Sequence, residues 1–180
     1  MIDQYAMLRE LDFERLAGTP GEARARELIG GCLERLGVAY AEESFALHGF
    51  NAGTACLETA DTRVAAHPLG LCTDTDVEGE LWVLENLDVL GDNAGAYDGK
   101  VVLSYTGGRQ LDRFLKHNHL AGLIRITPPL RKPKNLQHLQ ERLASAGTLL
   151  PTVIVSYDDG KALVARHGER VRLTIRQERF

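Results

Sequence analysis

The sequence predicts a mixed α+β (mixed α/β) fold in which N-terminal helices are followed by a strand-rich domain with short helices. Three observations predict it. Between residues 20 and 36, apolar side chains recur at the spacing of one helix face. From Val38 the period changes, and short runs rich in Val, Leu, Trp and Tyr follow one another. The run YDGKVVLSYTGGRQLDRFLKHNHLAGLIRI, residues 97–126, reads as turn, strand, glycine loop, helix and strand. That order implies a right-handed crossover between parallel strands.

Taken in order, residues 1–16 have the pattern of a short amphipathic helix with Met7, Leu8, Leu11 and Leu16 on its apolar side. In GTPGEARARELIGGCLERLGV, Thr19 is an N-cap, Pro20 fits the first helical position and Glu22 completes a capping box. Ala25, Leu28, Ile29, Cys32, Leu33 and Leu36 mark one face, and Gly37 ends the helix. The Gly30-Gly31 pair inside it costs about 1 kcal/mol per glycine relative to alanine, which close approach of another element would explain. VAYAEESFAL, GTACLET, RVAAHPL, EGELWVLEN and KVVLSY read as strands. GRQLDRFLKHNHL is a helix with Leu111, Phe114 and Leu115 on one side, and GLIRI is the strand after it. TPPLRKPKN is a proline-rich basic loop, and LQHLQERLASAG has helical spacing at Leu136, Leu139 and Leu143. LLPTVIVSY is a buried strand, DDGKALVARHG a short helix, and ERVRLTIRQ alternates with Val171, Leu173 and Ile175 on one face.

Composition narrows the function. At 44% apolar and 26% charged, the 180-residue chain has what a soluble globule needs to fill a core. A net charge of −4 argues against a nucleic-acid partner, which favours a basic surface. No apolar run approaches the ~20 residues that span a bilayer. The acidic N-terminus lacks the pattern of a secretory signal, so a cytoplasmic protein with no membrane partner is expected. Three cysteines, Cys32, Cys56 and Cys72, lack CxxC spacing and read as reduced, buried small side chains.

The candidate chemistry is sparse. The loop SYTGGRQ sits between a strand and a helix, where backbone N–H groups could hold an anion. It has neither GxGxxG nor GK[ST], so a tight turn is the competing reading. His117 and His119 are two residues apart on a predicted helix and face different ways, which makes them a poor metal pair. His48, His67, His138 and His167 have no acidic residue at ligand spacing, and a C-capping role accounts for His167. Glu42 and Glu43 are adjacent on a predicted strand and point to opposite faces. Ser104, Ser145 and Ser156 lack a nucleophile elbow. Arg131, Lys132 and Lys134 could meet an acidic partner, with a solvated loop as the competing reading.

Several stretches resemble known families. LPTVIVSYDDGKAL is similar to the closing motif of a protease-associated (PA) domain, at Leu150-Pro151, Ser156, Asp159 and Gly160. Residues 97–126 resemble the middle of the same domain, at Gly99-Lys100 and Ala121-Gly122. HPLG and GELWVL resemble its opening. GTPGEARARELIGGCLERLGV followed by EESFAL resembles the start of zinc-dependent aminopeptidases related to glutamate carboxypeptidase and the transferrin receptor ectodomain. The resemblance implies a peptidase-like segment over 1–52, a PA-like domain over 53–176 and a tail over 177–180. It implies a non-catalytic region of a metallopeptidase, which shapes substrate access or mediates protein interaction. The alternative is a stand-alone PA-like module binding a protein or peptide. No catalytic or metal residue is expected in this chain, and zinc is expected only in a catalytic half that it lacks. Candidate contacts to substrate or partner are Thr106, Gly107, Gly108, Arg109, Arg131 and Lys132. Leu28, Ile29, Leu33 and Leu36 are the candidate packing interface, toward the missing peptidase domain or another copy.

Overall fold

The computed structural model describes residues 3–15, 17–46, 50, 53–70, 72, 74–84, 95–105, 109–131 and 150–178. The chain divides into two compact units, Met1–Asn51 with Glu178–Phe180, and Ala52–Gln177.

In the first unit, α1 (Gln4–Glu10) starts where the Asp3 carboxylate accepts from the Tyr5 and Ala6 N–H groups, and it is shorter than the periodicity predicts. α2 (Pro20–Arg35) begins as the capping signal requires: Thr19 Oγ1 accepts from Glu22 N–H, and Pro20 gives up an N–H that has no helical partner anyway. Its end is a paired-carbonyl stop. Val38 N–H donates to Leu33 O at 3.0 Å and Gly37 N–H to Glu34 O at 3.0 Å, with Gly37 at φ 68°. A methyl group on Gly30 would lie 2.6 Å from the Tyr40 hydroxyl, so that glycine makes room for the returning chain. The strand expected over VAYAEESFAL is not formed: residues 38–46 have no regular structure and all are exposed. A strand needs a neighbour for its N–H and C=O groups, and no described residue supplies one.

The second unit is a closed barrel built from β1 (Thr54–Glu58), β2 (Arg63–Pro68), β3 (Thr75–Leu84), β4 (Val101–Ser104), β5 (Gly122–Ile126), β6 (Thr152–Val155) and β7 (Arg170–Arg176). The order around it is β1-β2-β6-β5-β4-β3-β7. β3, β4, β5 and β6 run parallel in one block, and the remaining contacts are antiparallel. Every strand sends alternate side chains to one interior, among them Leu57, Val64, Leu81, Val101, Ile124, Val153 and Leu173. β7 shows the simple alternation, with Val171, Leu173 and Ile175 buried between exposed Arg170, Arg172 and Arg176.

The parallel strands differ because their outer face is covered too. Val102 and Leu123 pack outward against Leu111 and Phe114 of α3 (Arg109–Leu115), so all four residues of β4 are buried. The pairs Val101↔Gly122 through Ser104↔Arg125 place β4 and β5 side by side, which is the crossover the sequence predicts. α3 stops at Leu115, short of the end of the helix expected over GRQLDRFLKHNHL. Buried Asn118 ends it, donating from Nδ2 to Phe114 O and accepting from Tyr97 N–H at Oδ1. The helix expected over 136–147 lies outside the described residues.

α4 (Tyr157–Val164) follows β6. Ser156 Oγ accepts from Asp159 N–H at 3.1 Å and donates to the Asp159 carboxylate at 2.5 Å. The Ser-x-x-Asp spacing in the sequence is therefore a helix cap. The C-capping role expected of His167 is not what its ring does. Its Nδ1 accepts from Val83 N–H at 3.1 Å, and its ring lies 4.5 Å from that of Trp82, so it extends the hydrogen bonding of β3 beyond β7.

Candidate functional site

A block of parallel strands sends all its carboxyl ends one way, and loops leaving that end are where open α/β sheets place ligands. Here β3, β4, β5 and β6 end in register, with Leu84 beside Ser104, Ser104 beside Arg125, and Arg125 beside Ile154. The stretch after β4 begins with Tyr105, the stretch after β5 is Thr127 to Arg131, and Ser156-Tyr157 opens α4 after β6.

Of the sequence-predicted contacts, Arg131 is exposed at this end and Arg109 begins α3. Thr106, Gly107, Gly108 and Lys132 lie outside the described residues. Thr127 is structural: its N–H and hydroxyl both donate to Val155 O, at 3.0 and 2.8 Å, which ties β5 to β6. Sequence reasoning missed Tyr105, Leu130, Tyr157 and Lys161. Tyr105 is 47% exposed; burial raises its phenol above the ordinary value, with the Tyr157 side chain a further cause. Lys161 Nζ lies 5.7 Å from the centre of the Tyr157 ring. Leu130 is fully exposed at φ 62°, a backbone region that costs a leucine energy. The stretches after β4 and β5 and the helix α4 contribute these groups, so no local motif announces them.

This end offers rings, cations and an apolar side chain for contact. Ser156 is committed to Asp159 and to the start of α4. His117 and His119 are exposed, and it is their carbonyls that matter locally: they accept from Gly95 and Gly99 N–H. Among the described residues, no group of three or more His, Cys, Asp or Glu could hold a metal ion. No described helix is long and apolar enough to cross a membrane.

The first unit carries the second candidate surface. Leu28 and Leu33 are half-buried, while Ile29 is 43% and Leu36 57% exposed. Ile29, Gly30, Leu33 and Tyr40 line a groove of about 400 Å³, together with Arg26 and Glu42, which form an ion pair at 3.7 Å. Burial first, and the Glu34 and Glu42 carboxylates next, raise the Tyr40 phenol above its ordinary value.

A helical segment preceding a seven-stranded barrel with a parallel block defines a mixed α+β protein. No family model matches the sequence, and no curated protein matches it. Solved structures do. The chain is similar to an aminopeptidase from Aneurinibacillus sp. strain AM-1, with a TM-score of 0.63 and 18% identity over 98% of this chain and 44% of that one. It is similar to a peptidase M28 precursor from Shewanella amazonensis SB2B, with a TM-score of 0.63 and 15% identity over 98% and 47%. It is also similar to BSAP, a zinc aminopeptidase from Bacillus subtilis, with a TM-score of 0.61 and 14% identity over 97% and 44%. At these identities the likeness is one of fold. The chain spans less than half the length of each of these proteins.

Proposed function

We propose that this chain is the non-catalytic region of a zinc metallopeptidase of the aminopeptidase type, with a PA-like barrel that governs access of peptide substrates or holds a protein partner. One observation carries the reading. Nearly the whole chain, both units included, follows the fold of aminopeptidases while accounting for less than half of their length. A separate binding module would match over the barrel without the helical segment before it. The described residues offer no three-ligand group that fits zinc. Zinc belongs, on this reading, to the part of a longer parent outside this sequence.

The barrel's contribution is recognition. Tyr105 and Tyr157 offer faces for apolar or cationic side chains, and Arg131 and Lys161 offer positive charge to a peptide carboxylate. The test is nuclear magnetic resonance titration with a mixed pool of unstructured hexapeptides, alongside an aminoacyl-nitroanilide assay with zinc supplied. Shifts concentrated at Tyr105, Leu130, Arg131 and Lys161, without hydrolysis, are expected. Chelator-sensitive hydrolysis, or shifts confined to the β1–β7 face, would overturn the reading.

A further inference from the structure

We infer that His167 is a pH-sensitive latch on the end of β3: its neutral ring holds the Val83 N–H, and its protonated ring lets it go. The inference rests on the geometry of the barrel and not on reading the chain as part of a peptidase.

β3 outruns its antiparallel partner. β7 begins at Arg170, beside Glu80, whereas β3 runs on to Leu84. The turn before β7 serves the next residue: Leu81 N–H donates to Glu169 O, and Gly168 N–H to Leu81 O, both at 2.8 Å. Successive N–H groups of a strand point to opposite edges, so Val83 N–H is the next donor on this side. There a side chain takes over from the backbone, and His167 Nδ1 accepts from Val83 N–H at 3.1 Å.

An imidazole nitrogen that accepts a hydrogen bond carries no proton, so the ring's own proton sits on Nε2. A second proton, on Nδ1, would set N–H against N–H and end the bond. His167 is exposed, so solvent protons reach it, whereas Val83 is buried and its released N–H has little water to turn to. The ring also lies 4.5 Å from that of Trp82. That contact suits a neutral or a cationic ring, so the loss falls on the Val83 bond.

The charged neighbours are already paired among themselves. On the β3 side, Glu80 holds Lys100 at 3.3 Å, and Lys100 Nζ lies 4.1 Å from the centre of the Trp82 ring. In the turn, Arg166 holds Glu169 at 3.2 Å and Asp61 at 2.8 Å, and Arg170 at the start of β7 holds Glu78 at 3.5 Å. Tyr97 meets Trp82 edge-on at 5.8 Å. Each of these carboxylates already has a cation, so none of them rewards a charged His167 with a new ion pair. Val83 and Leu84 lie at the end of the barrel where β4, β5 and β6 also finish, so acid loosens the strand end at the candidate contact surface.

Nuclear magnetic resonance of the full chain from about pH 8 to 5 tests this, because histidine ordinarily changes charge in that range. The Val83 amide resonance should move in step with the His167 ring, and opening at Val83 should rise about tenfold as the bond is lost. His167→Asn offers an oxygen acceptor that does not titrate, and its Val83 resonance should hold steady. His167→Phe keeps a ring against Trp82 without an acceptor, and at pH 8 it should already show the opening that the parent reaches at pH 5. A Val83 resonance that ignores the titration of His167, an Asn variant that responds as the parent does, or a Phe variant as protected as the neutral parent overturns the inference.

Discussion

Gly122→Ala tests the barrel's packing directly. Gly122 opens β5 with its missing side chain aimed inward, and a methyl group there would sit 2.6 Å from Leu173 Cδ2. Carbon atoms prefer about 3.5 Å or more, so the two must separate by about 1 Å. Leu173 is fully buried and shares its interior with Leu81, Val101 and Ile124, each also fully buried, which leaves it nowhere to go. Overpacking of this kind costs about 1–3 kcal/mol, against a gain of about 0.4–1 kcal/mol from a stiffer unfolded chain. A net loss of about 1–2 kcal/mol is expected. Leu173→Ala alone should cost about 2–5 kcal/mol through its cavity. In the double variant the new methyl group occupies part of that cavity, so the combined loss should fall short of the sum by about 1 kcal/mol or more. Urea unfolding followed by tryptophan fluorescence measures all four proteins, since Trp82 packs on the barrel. Additive losses, or a stabilised Gly122→Ala, would refute the close-approach account of this glycine.

Two further outcomes are expected. In α2, Gly31→Ala should gain about 1 kcal/mol because only the Arg35 guanidinium, at 3.7 Å, comes near, whereas Gly30→Ala should gain less until Tyr40→Ala removes the hydroxyl it would strike; equal gains in thermal unfolding of the two single variants would contradict this. The second concerns acid. Arg172 donates two hydrogen bonds of 2.6 Å to Asp76, and this holds the Asp76 carboxyl below its ordinary 3.8. A carboxyl with a depressed folded value contributes stability above its unfolded value and loses it as pH falls through the folded one. The stability difference between the parent and Asp76→Asn should therefore hold steady above about pH 5 and shrink below about pH 4, and a difference unchanged at pH 2 would count against the pair.

Local grammar determined most of the elements. Thr19-Pro20 and Gly37 bound α2, Ser156 and Asp159 open α4, and the alternation in ERVRLTIRQ becomes β7, because caps and pleats are satisfied by residues close in sequence. The parallel pairing of β4 and β5 was legible for the same reason, since one short helix joins them. Other outcomes depended on contacts from afar. VAYAEESFAL has the composition of a strand and forms none, because pairing needs a partner that its own residues do not provide. Gly30 and Gly122 read as weak points, and only the Tyr40 hydroxyl and Leu173 show that each makes room for a neighbour. The candidate contact surface was half legible. Arg131 lies in a basic loop that any reading would notice, while Tyr105, Leu130, Tyr157 and Lys161 come to one end of the barrel only because parallel register carries the ends of β4, β5 and β6 to one side. Sequence specifies a group's chemistry, and register, a property of several strands at once, decides which groups share a surface.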